Sequence, residues 1–199
     1  MEEWALRGMR RWPDVPALFG WLRLDRRGRW LIRDEVISRP QIIDTINANY
    51  EADAHGRWFF QNGPQRGYVT LDYAPLIAHV IDGALITHTG KSLAHPQRLL
   101  LDEQGSLSIQ SEHGPALLND QDLPWTLERL NVHGRAATQV DIEEALAVPS
   151  GQITSLSCSL ATGPLALHRL DEAAMPVRLG FVRDPRPVPG ERVSTRIAD

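Results

Sequence analysis

The stretch LRLDRRGRWLIR, residues 22–33, consists of two short alternating segments joined by an Asp-x-x-Gly tetrapeptide. Large apolar residues alternate with arginines before Asp25 and after Gly28, which is the period-two pattern of a strand with one buried and one wet face. An aspartate at the first position of a turn accepts backbone N–H groups, and a glycine at the fourth position tolerates positive φ. The stretch therefore predicts a β-hairpin closed by a type I turn and a bulge.

The fuller pattern is Asp-x-x-Gly-x-Φ-x-Φ, in which Φ is a large apolar residue, and it occurs three times. The three copies begin at Asp25, Asp53 and Asp102, and we predict a looser fourth copy at Asn131-Val-His-Gly134. The first Φ position holds tryptophan in two copies and leucine in the third, an exchange that favours a role in the core. Because the spacing is too irregular for a solenoid, the repetition indicates a duplicated hairpin-plus-helix unit.

Three segments have the apolar spacing of helices. They are residues 39–50, 123–130 and 139–147. We expect Ser38 to cap the first helix, with Pro40 in its first turn. Thr138 and Asp141 resemble a capping box at the start of the last helix.

Alternating segments predict strands in the rest of the chain. They are WFFQNG, GYVTLDY, residues 76–81 and 84–88, the QRLLLDEQGSLSIQ hairpin, ITSLSCSL, LALHRL and VRLGFV. Together with the helices they predict an α+β protein in which repeated β-hairpin-plus-helix units form two mostly antiparallel sheet subdomains.

The domain organisation follows from these elements. We expect an N-terminal helical segment over residues 1–20, a first α+β subdomain over 21–92, a second over 93–183 and a mobile tail over 184–199. The N-terminal segment is predicted as an amphipathic helix by the spacing of four apolar residues, Trp4, Leu6, Met9 and Trp12. The tail is rich in proline and poor in large apolar residues.

Composition and charge exclude several classes of protein. The net charge of −4 argues against general nucleic-acid binding. The single cysteine, Cys158, cannot form an internal disulfide, which fits a reducing compartment. The chain starts without the apolar run of a secretory signal, and it has no segment close to the roughly 20 apolar residues of a membrane span. We therefore expect a cytoplasmic protein with neither a nucleic-acid nor a membrane partner.

Five short motifs follow one another along residues 20–110. They are a hairpin with Asp-x-x-Gly-x-Trp, an Ile-x-Arg-Pro helix start, a second Asp-x-x-Gly hairpin, an acid-x-Ala-Pro step and a His-Pro-x-Arg sequence. The residues that form them are Gly28, Trp30, Ile37, Arg39, Gly56, Asp72, Ala74, Pro75, His95, Pro96 and Arg98. In this order the motifs resemble the bacterial family of unknown function DUF1285. The resemblance implies an α+β protein with repeated motifs and two subdomains, no established activity, and a role in ligand binding or signalling.

The chain carries no signature of a nucleophile, a metal site or a phosphate loop. Gly-x-Ser-x-Gly, the zinc spacings of histidine and cysteine, and glycine-rich nucleotide loops are all missing from the sequence. Cys158 lies in an alternating strand, where it is expected to pack as a small hydrophobe. We therefore expect neither a metal nor a cofactor.

The candidate binding residues lie near the ends of predicted elements, where sites tend to gather. They are Arg39, Asp72, Tyr73, His88 and His95. We interpret the chain as a non-enzymatic protein with a regulatory or signalling role that binds a small molecule or a protein partner, in a cleft between the two subdomains.

Two alternatives stay open. One is a hydrolase that uses His88 or His95 with Asp72. The other is a structural subunit that docks through its Arg-rich N-terminal part and its Pro-rich tail. The sequence leaves the ligand, the pathway and the oligomeric state undetermined.

Overall fold

The computed structural model describes residues 2–11 and 15–194, and of Ala5 and Met9 it describes the backbone only. The chain divides into two compact units: unit 1 comprises residues 1–75 and 180–199, and unit 2 comprises residues 76–179. Each unit contains one large, mostly antiparallel sheet and short helices. The predicted α+β fold class is therefore confirmed. No helix in the described ranges is long and apolar enough to cross a bilayer.

In its described residues, unit 1 contains one sheet of seven strands and two helices. The elements are α1 (Glu3–Arg11), β1 (Ala17–Leu24), β2 (Trp30–Ile32), β3 (Glu35–Val36), α2 (Pro40–Ala48), β4 (Tyr50–Ala52), β5 (Trp58–Asn62), β6 (Gln65–Leu71) and, at the end of the chain, β16 (Val193–Ser194). The strand order is β3-β2-β1-β6-β5-β4, with β16 beside β1. The β1–β6 and β1–β16 pairs are parallel, and the other pairs are antiparallel.

Unit 2 contains one sheet of nine strands, three α-helices and two 3₁₀ helices, Asp120–Asp122 and Glu172–Ala174. The elements are β7 (Leu76–Ile81), β8 (Ala84–Thr87), β9 (Arg98–Leu101), β10 (Leu107–Ser111), β11 (Gly114–Leu118), α3 (Leu123–Leu127), β12 (Leu130–Val132), β13 (Arg135–Ala136), α4 (Gln139–Ala147), β14 (Ile153–Leu160), β15 (Gly163–Arg169) and α5 (Met175–Leu179). The strand order is β13-β12-β14-β15-β9-β10-β11-β7-β8.

The two sheets share part of their strand order. The path β3-β2-β1-β6-β5-β4 in unit 1 corresponds to β11-β10-β9-β15-β14-β12 in unit 2. In both paths the central pair, β1–β6 or β9–β15, is parallel. A hairpin-plus-helix unit used twice would give this correspondence, and the duplication itself stays a prediction.

All three Asp-x-x-Gly copies form the predicted turn. In each, the aspartate Oδ1 accepts the N–H groups of the residues two and four positions later, at 2.7–3.0 Å. The aspartate carbonyl accepts the glycine N–H at 3.1–3.2 Å, and the glycines have φ of 73–84°. The predicted fourth copy is wrong, because His133 and Gly134, at φ 48° and 83°, form a two-residue loop between β12 and β13 instead.

Two local predictions at the helices are also wrong. The N-cap of α2 is Arg39 rather than Ser38, and it makes no side-chain capping hydrogen bond. The predicted strand VRLGFV is instead the end of α5, which stops before Gly180 at φ 72°. A proline near the start of α5 and a glycine just after its end favour a short helix over a strand. The capping box of α4 is confirmed.

Residues 180–194, which we call the C-terminal segment, are held on unit 1 by the buried side chain of Arg57. Arg57 is 5% exposed and donates to Asp53 and Glu191, each at 2.7 Å. It also donates to the Tyr68 hydroxyl at 2.7 Å and to the Arg186 carbonyl at 2.9 Å. One guanidinium therefore joins a turn, a central strand and the end of the chain.

Backbone contacts add to this anchor. Ala17 donates to the Arg192 carbonyl and Leu71 donates to the Arg183 carbonyl, both at 2.8 Å. A Cβ at Gly56 would lie 2.4 Å from the Gly180 carbonyl oxygen, so only glycine permits this approach. The mobile tail predicted over residues 184–199 is thus bound to the sheet over 184–194, and residues 195–199 lie outside the described part of the chain.

The N-terminal and middle boundaries also differ from the predicted ones. α1 confirms a helix near the start of the chain, but the predicted helical segment 1–20 already enters β1 at Ala17. Trp12 and the side chain of Met9 lie outside the described residues. The boundary between the units follows Pro75 rather than residue 92, because β7 pairs with β11 in the sheet of unit 2.

The two faces of the unit 1 sheet are covered by different parts of the chain. On one face, the Trp30 indole N–H donates to the Asn47 side chain of α2 at 2.8 Å. On the other face, Phe59 and Tyr68 pair across β5 and β6, and Tyr68 contacts Glu191 of the C-terminal segment at 3.2 Å. Trp30 and its counterpart in the second copy are buried, as the repeat pattern predicts.

The contacts of Arg57 affect the pKa values of the side chains around it. Burial by itself would raise the pKa of Asp53 and of Glu191, but hydrogen bonds from Arg57 and from backbone N–H groups, with the attraction of the Arg57 charge, lower both pKa values. Burial raises the pKa of the Tyr68 hydroxyl to about 12. At neutral pH the cluster is therefore one cation between two carboxylates, with a neutral phenol beside it.

Substitutions of Asp102 test the role of the aspartate in the Asp-x-x-Gly turn. Asp102→Ala removes the acceptor of two N–H groups at a fully buried position, and we expect a free energy of unfolding lower by about 2–3 kcal/mol. Asp102→Asn keeps Oδ1, so its free energy of unfolding should fall clearly less than that of Asp102→Ala. Urea unfolding followed by circular dichroism measures both. Equal losses in the two variants would contradict the assigned role of Oδ1.

The Arg57 cluster has a pH signature. In the folded protein, the pKa values of Asp53 and Glu191 are lower than their ordinary values of 3.8 and 4.5. The two carboxylates therefore stabilise the fold at pH values above these ordinary pKa values, and this stabilisation is lost as the pH falls through the lower pKa values of the folded state. We expect Glu191→Gln to be less stable than the native protein at pH 7 and to lose less stability on acidification towards pH 3.5. Urea unfolding at several pH values measures this, with the exposed Glu35→Gln as control. Parallel pH profiles for Glu191→Gln and the native protein would contradict it.

Candidate functional site

A pocket with a volume of about 160 Å³ lies in unit 1, where α2 meets the sheet. Its floor comes from the central strands. Leu18 and Phe60 each pair with Gly67, and Leu22 pairs with Ile32. Residues paired directly across neighbouring strands share a face. These side chains therefore form one apolar floor.

The wall opposite the floor comes from α2 and the segment before it. Ile37, Ile42 and Ile46 line the pocket. Ile46 is 3% exposed, whereas Ile42 is 40% exposed at the mouth. The helix has nine residues, a length of roughly 14 Å. It is therefore too short to cover the whole face, and the uncovered part is the pocket.

Gly67 leaves the space open from the sheet side. A Cβ at this position would have only the Phe60 carbonyl oxygen within 4 Å, at 3.9 Å. Gly67 has no positive φ, so its backbone does not require glycine. The missing side chain is therefore a property of the pocket and not of a turn.

Two carboxamides, Asn62 and Gln65, line the end of the pocket near the β5–β6 turn. Asn62 is exposed, whereas Gln65 is 9% exposed. The Gln65 Nε2 donates to the Pro16 carbonyl at 3.1 Å. The other lining side chains are aliphatic or aromatic, so the polar side-chain groups of the lining are these two amides and the Trp21 indole N–H.

Trp21 forms part of the mouth. The Arg33 guanidinium lies over its ring, 4.4 Å from the ring centroid, and the Arg33 N–H donates to the Trp21 carbonyl at 2.8 Å. Arg33 has φ 57°, which fits its place in the tight loop between β2 and β3. The loop thus holds the indole at the pocket edge.

The predicted site residues of unit 1 are Arg39, Asp72 and Tyr73. Arg39 is exposed at the start of α2, between two segments that line the pocket. Asp72 accepts two hydrogen bonds from Arg23, at 2.6 and 2.9 Å. Tyr73 is 1% exposed, with the Arg26 guanidinium 4.4 Å from its ring centroid. Asp72 and Tyr73 therefore lie in a cluster with arginines, and neither lines the pocket.

The predicted histidines belong to unit 2. The His88 Nδ1 accepts the Ile77 N–H at 3.2 Å. His95 is exposed, and its own N–H donates to the Glu112 carboxylate at 3.2 Å. Its chain neighbours line a cavity of about 120 Å³ that also includes Trp125. The predicted cleft between two subdomains stays a prediction.

Reactive and metal-binding groups are sparse in the described residues. Among residues 2–11 and 15–194, no group of three or more His, Cys, Asp or Glu side chains is placed to hold a metal ion. Cys158 is buried, and burial raises the pKa of its thiol to about 11. The thiolate that a nucleophile requires is therefore unfavourable at neutral pH.

The pocket is not among the features predicted from the sequence, although the sequence contains two signals for it. One is the glycine at the start of GYVTLDY, at a position where the alternation calls for a large apolar residue. The other is Ile42, an apolar residue on a helix that is too short to bury it. Neither signal identifies a pocket without knowing that both elements face the same part of the sheet.

The sequence matches one protein family over residues 1–186, designated DUF2944 and described as "Protein of unknown function (DUF2946)". Two crystal structures of DUF1285 family proteins are similar to the chain. The one from Silicibacter pomeroyi DSS-3 has a TM-score of 0.49 and 16% identity, over 61% of this chain and 75% of that chain. The one from Shewanella baltica OS155 has a TM-score of 0.40 and 13% identity, over 55% and 88%. No curated protein matches the sequence.

Both solved structures belong to the family that the sequence motifs resemble. The match to a family of unknown function over residues 1–186 confirms the resemblance to proteins of unknown function. Nothing about activity follows from it.

Gly67→Val tests the geometry of the pocket. Its Cβ meets only ordinary van der Waals contact, and valine favours strands, so we expect a folded protein with a free energy of unfolding equal to or up to about 1 kcal/mol above that of the native protein. Urea unfolding measures this. A loss of more than about 1 kcal/mol would show that the space beside Gly67 is already filled.

Proposed function

We propose that this chain, which belongs to the DUF2944 family described as "Protein of unknown function (DUF2946)", has a non-enzymatic binding function. In this proposal, unit 1 holds a small apolar molecule in its pocket. The observation that supports this is the apolar space of about 160 Å³ between α2 and the sheet. An apolar cavity of about 150 Å³ is enough to bind benzene in another protein. The pocket therefore suits one ring or a short branched chain.

The chemistry of the lining favours binding over catalysis. Of the residues that the structure describes, those that line the pocket include no ionisable side chain. General acid–base and nucleophilic catalysis both require such groups next to the substrate. The acid of the hydrolase alternative, Asp72, is paired with Arg23, and the His88 Nδ1 is occupied by a backbone N–H. These contacts give the hydrolase alternative no support.

The exposed apolar side chains at the mouth of the pocket favour a ligand-binding site over a packing defect. Ile32 and Ile42 line the pocket and are still 42% and 40% exposed. A ligand that covers apolar surface gains about 25 cal/mol for each Å² removed from water. Concave, mostly apolar sites with a few polar groups are typical of small-molecule binding.

A protein partner is the second candidate. It is favoured by Ile32 and Ile42, two apolar residues that remain 42% and 40% exposed at the mouth of the pocket. Contiguous exposed apolar residues mark interaction sites in general. In that case an apolar side chain of the partner would fill the pocket.

The proposed setting is the cytoplasm, and the proposed consequence of binding is regulatory. Cys158, the one cysteine of the sequence, is a buried free thiol, which suits a reducing compartment. A ligand that binds only the folded state stabilises that state, so occupancy of the pocket can be read out as the stability of unit 1. A signalling role would therefore operate through the change in stability that ligand binding causes.

Toluene is a suitable first probe because it is one apolar ring. We expect saturable shifts of the Gly67 amide in a ¹⁵N NMR titration, and a native state more stable by about 1.4 kcal/mol at tenfold excess over the Kd. Gly67→Val fills the same space and should abolish both effects.

The matched control is Thr70→Val, on the same strand but on the opposite face of the sheet. It should bind toluene like the native protein. Toluene binding that survives Gly67→Val, or no saturable shift in the native protein, would contradict the proposed function.

A further inference from the structure

We infer that the bound molecule carries one uncharged hydrogen-bond donor, a hydroxyl or an N–H, on its apolar group, and that the Gln65 Oε1 accepts it. The inference rests on the proposed function, because it concerns the same pocket. It narrows the ligand to phenols, indoles and small apolar alcohols.

The orientation of the Gln65 amide follows from its contact with the backbone. Its nitrogen donates to the Pro16 carbonyl at 3.1 Å. A carbonyl only accepts, so the opposite assignment would place two acceptors against each other. The Oε1 is therefore the end of the amide that does not contact Pro16.

Neighbouring Gln61 shows what a purely structural glutamine looks like at this turn. It is 0% exposed, its Nε2 donates to the Gly63 carbonyl at 2.8 Å, and its Oε1 accepts from Arg66 at 3.3 Å. Both ends of that amide are used within the protein. For Gln65, no described residue is found donating to Oε1, although the side chain is almost fully buried and lines the pocket.

A ligand that fills the pocket removes water from the Gln65 Oε1. A buried acceptor without a donor is unfavourable, so an apolar molecule that carries a donor at this point binds better than one that does not. A carboxylate or phosphate would bring negative charge against the same oxygen. A cation would have to leave water for walls of leucine, isoleucine and phenylalanine. A neutral donor is the group that fits.

Phenol and toluene test this as a matched pair, because a hydroxyl replaces a methyl on the same ring. Their dissociation constants are measured from the Gly67 amide shift in the native protein and in Gln65→Met, which keeps the length of the side chain but lacks the acceptor oxygen. We expect the Kd ratio of phenol to toluene to rise about three- to tenfold in Gln65→Met, the size of one lost hydrogen bond.

Thr70→Val is the control, because Thr70 lies on the same strand as Gln65 but on the face of the sheet opposite the pocket. It should leave the ratio as in the native protein. An unchanged ratio in Gln65→Met, or an equal rise in Thr70→Val, would overturn the inference while toluene binding upholds the proposed function. If neither phenol nor toluene binds, the proposed function fails, and the inference with it.

A comparison in the native protein avoids any loss of folding in the variant. Indole has an N–H, and 1-methylindole does not. We expect 1-methylindole to bind at least threefold more weakly than indole, with the shift of the Gly67 amide as the readout. Equal affinity for the two would overturn the assignment of a donor.

Discussion

Most of unit 1 is arranged around one buried guanidinium, that of Arg57. The aspartate of the second Asp-x-x-Gly turn holds it from one side, and Glu191 holds it from the other. A buried charge is tolerated only when it is paired and hydrogen-bonded, so the turn and the C-terminal segment each depend on the other being in place. Residues that are 134 positions apart in the chain thereby become parts of one unit.

This arrangement seals one face of the sheet and leaves the other incompletely covered. The face of Arg57 and Tyr68 is closed by the C-terminal segment through charged and backbone hydrogen bonds. The opposite face is covered by α2, whose nine residues reach only part of it. The pocket is the remainder. Its lining contains no ionisable side chain, and the Arg57 cluster lies on the other face.

Local structure could be predicted well where the stabilising contacts lie within one short segment. The three Asp-x-x-Gly turns, the strands beside them and the capping box at Thr138 each follow from side chains that bond to the nearest backbone. Predictions failed where the pattern was ambiguous. Asn131–Gly134 has the spacing of the aspartate turn, but His133 and Gly134 form a shorter loop, and VRLGFV alternates only weakly. Of the candidate site, Arg39 alone flanks the pocket, because segment ends do not indicate which face a side chain shares.

The sequence by itself determined the class of fold and the position of its turns, since an aspartate carboxylate and a glycine at positive φ act within four residues. Only the tertiary structure decided what each copy of the turn does. Arg29 and Arg57 occupy the same position after their aspartates, yet the side chain of Arg29 is 55% exposed and that of Arg57 is 6% exposed. The difference comes from the return of the chain end over one of them. Long-range pairing of this kind depends on which surfaces meet, and neither Gly67 nor Gln65 can be recognised as part of a pocket until they do.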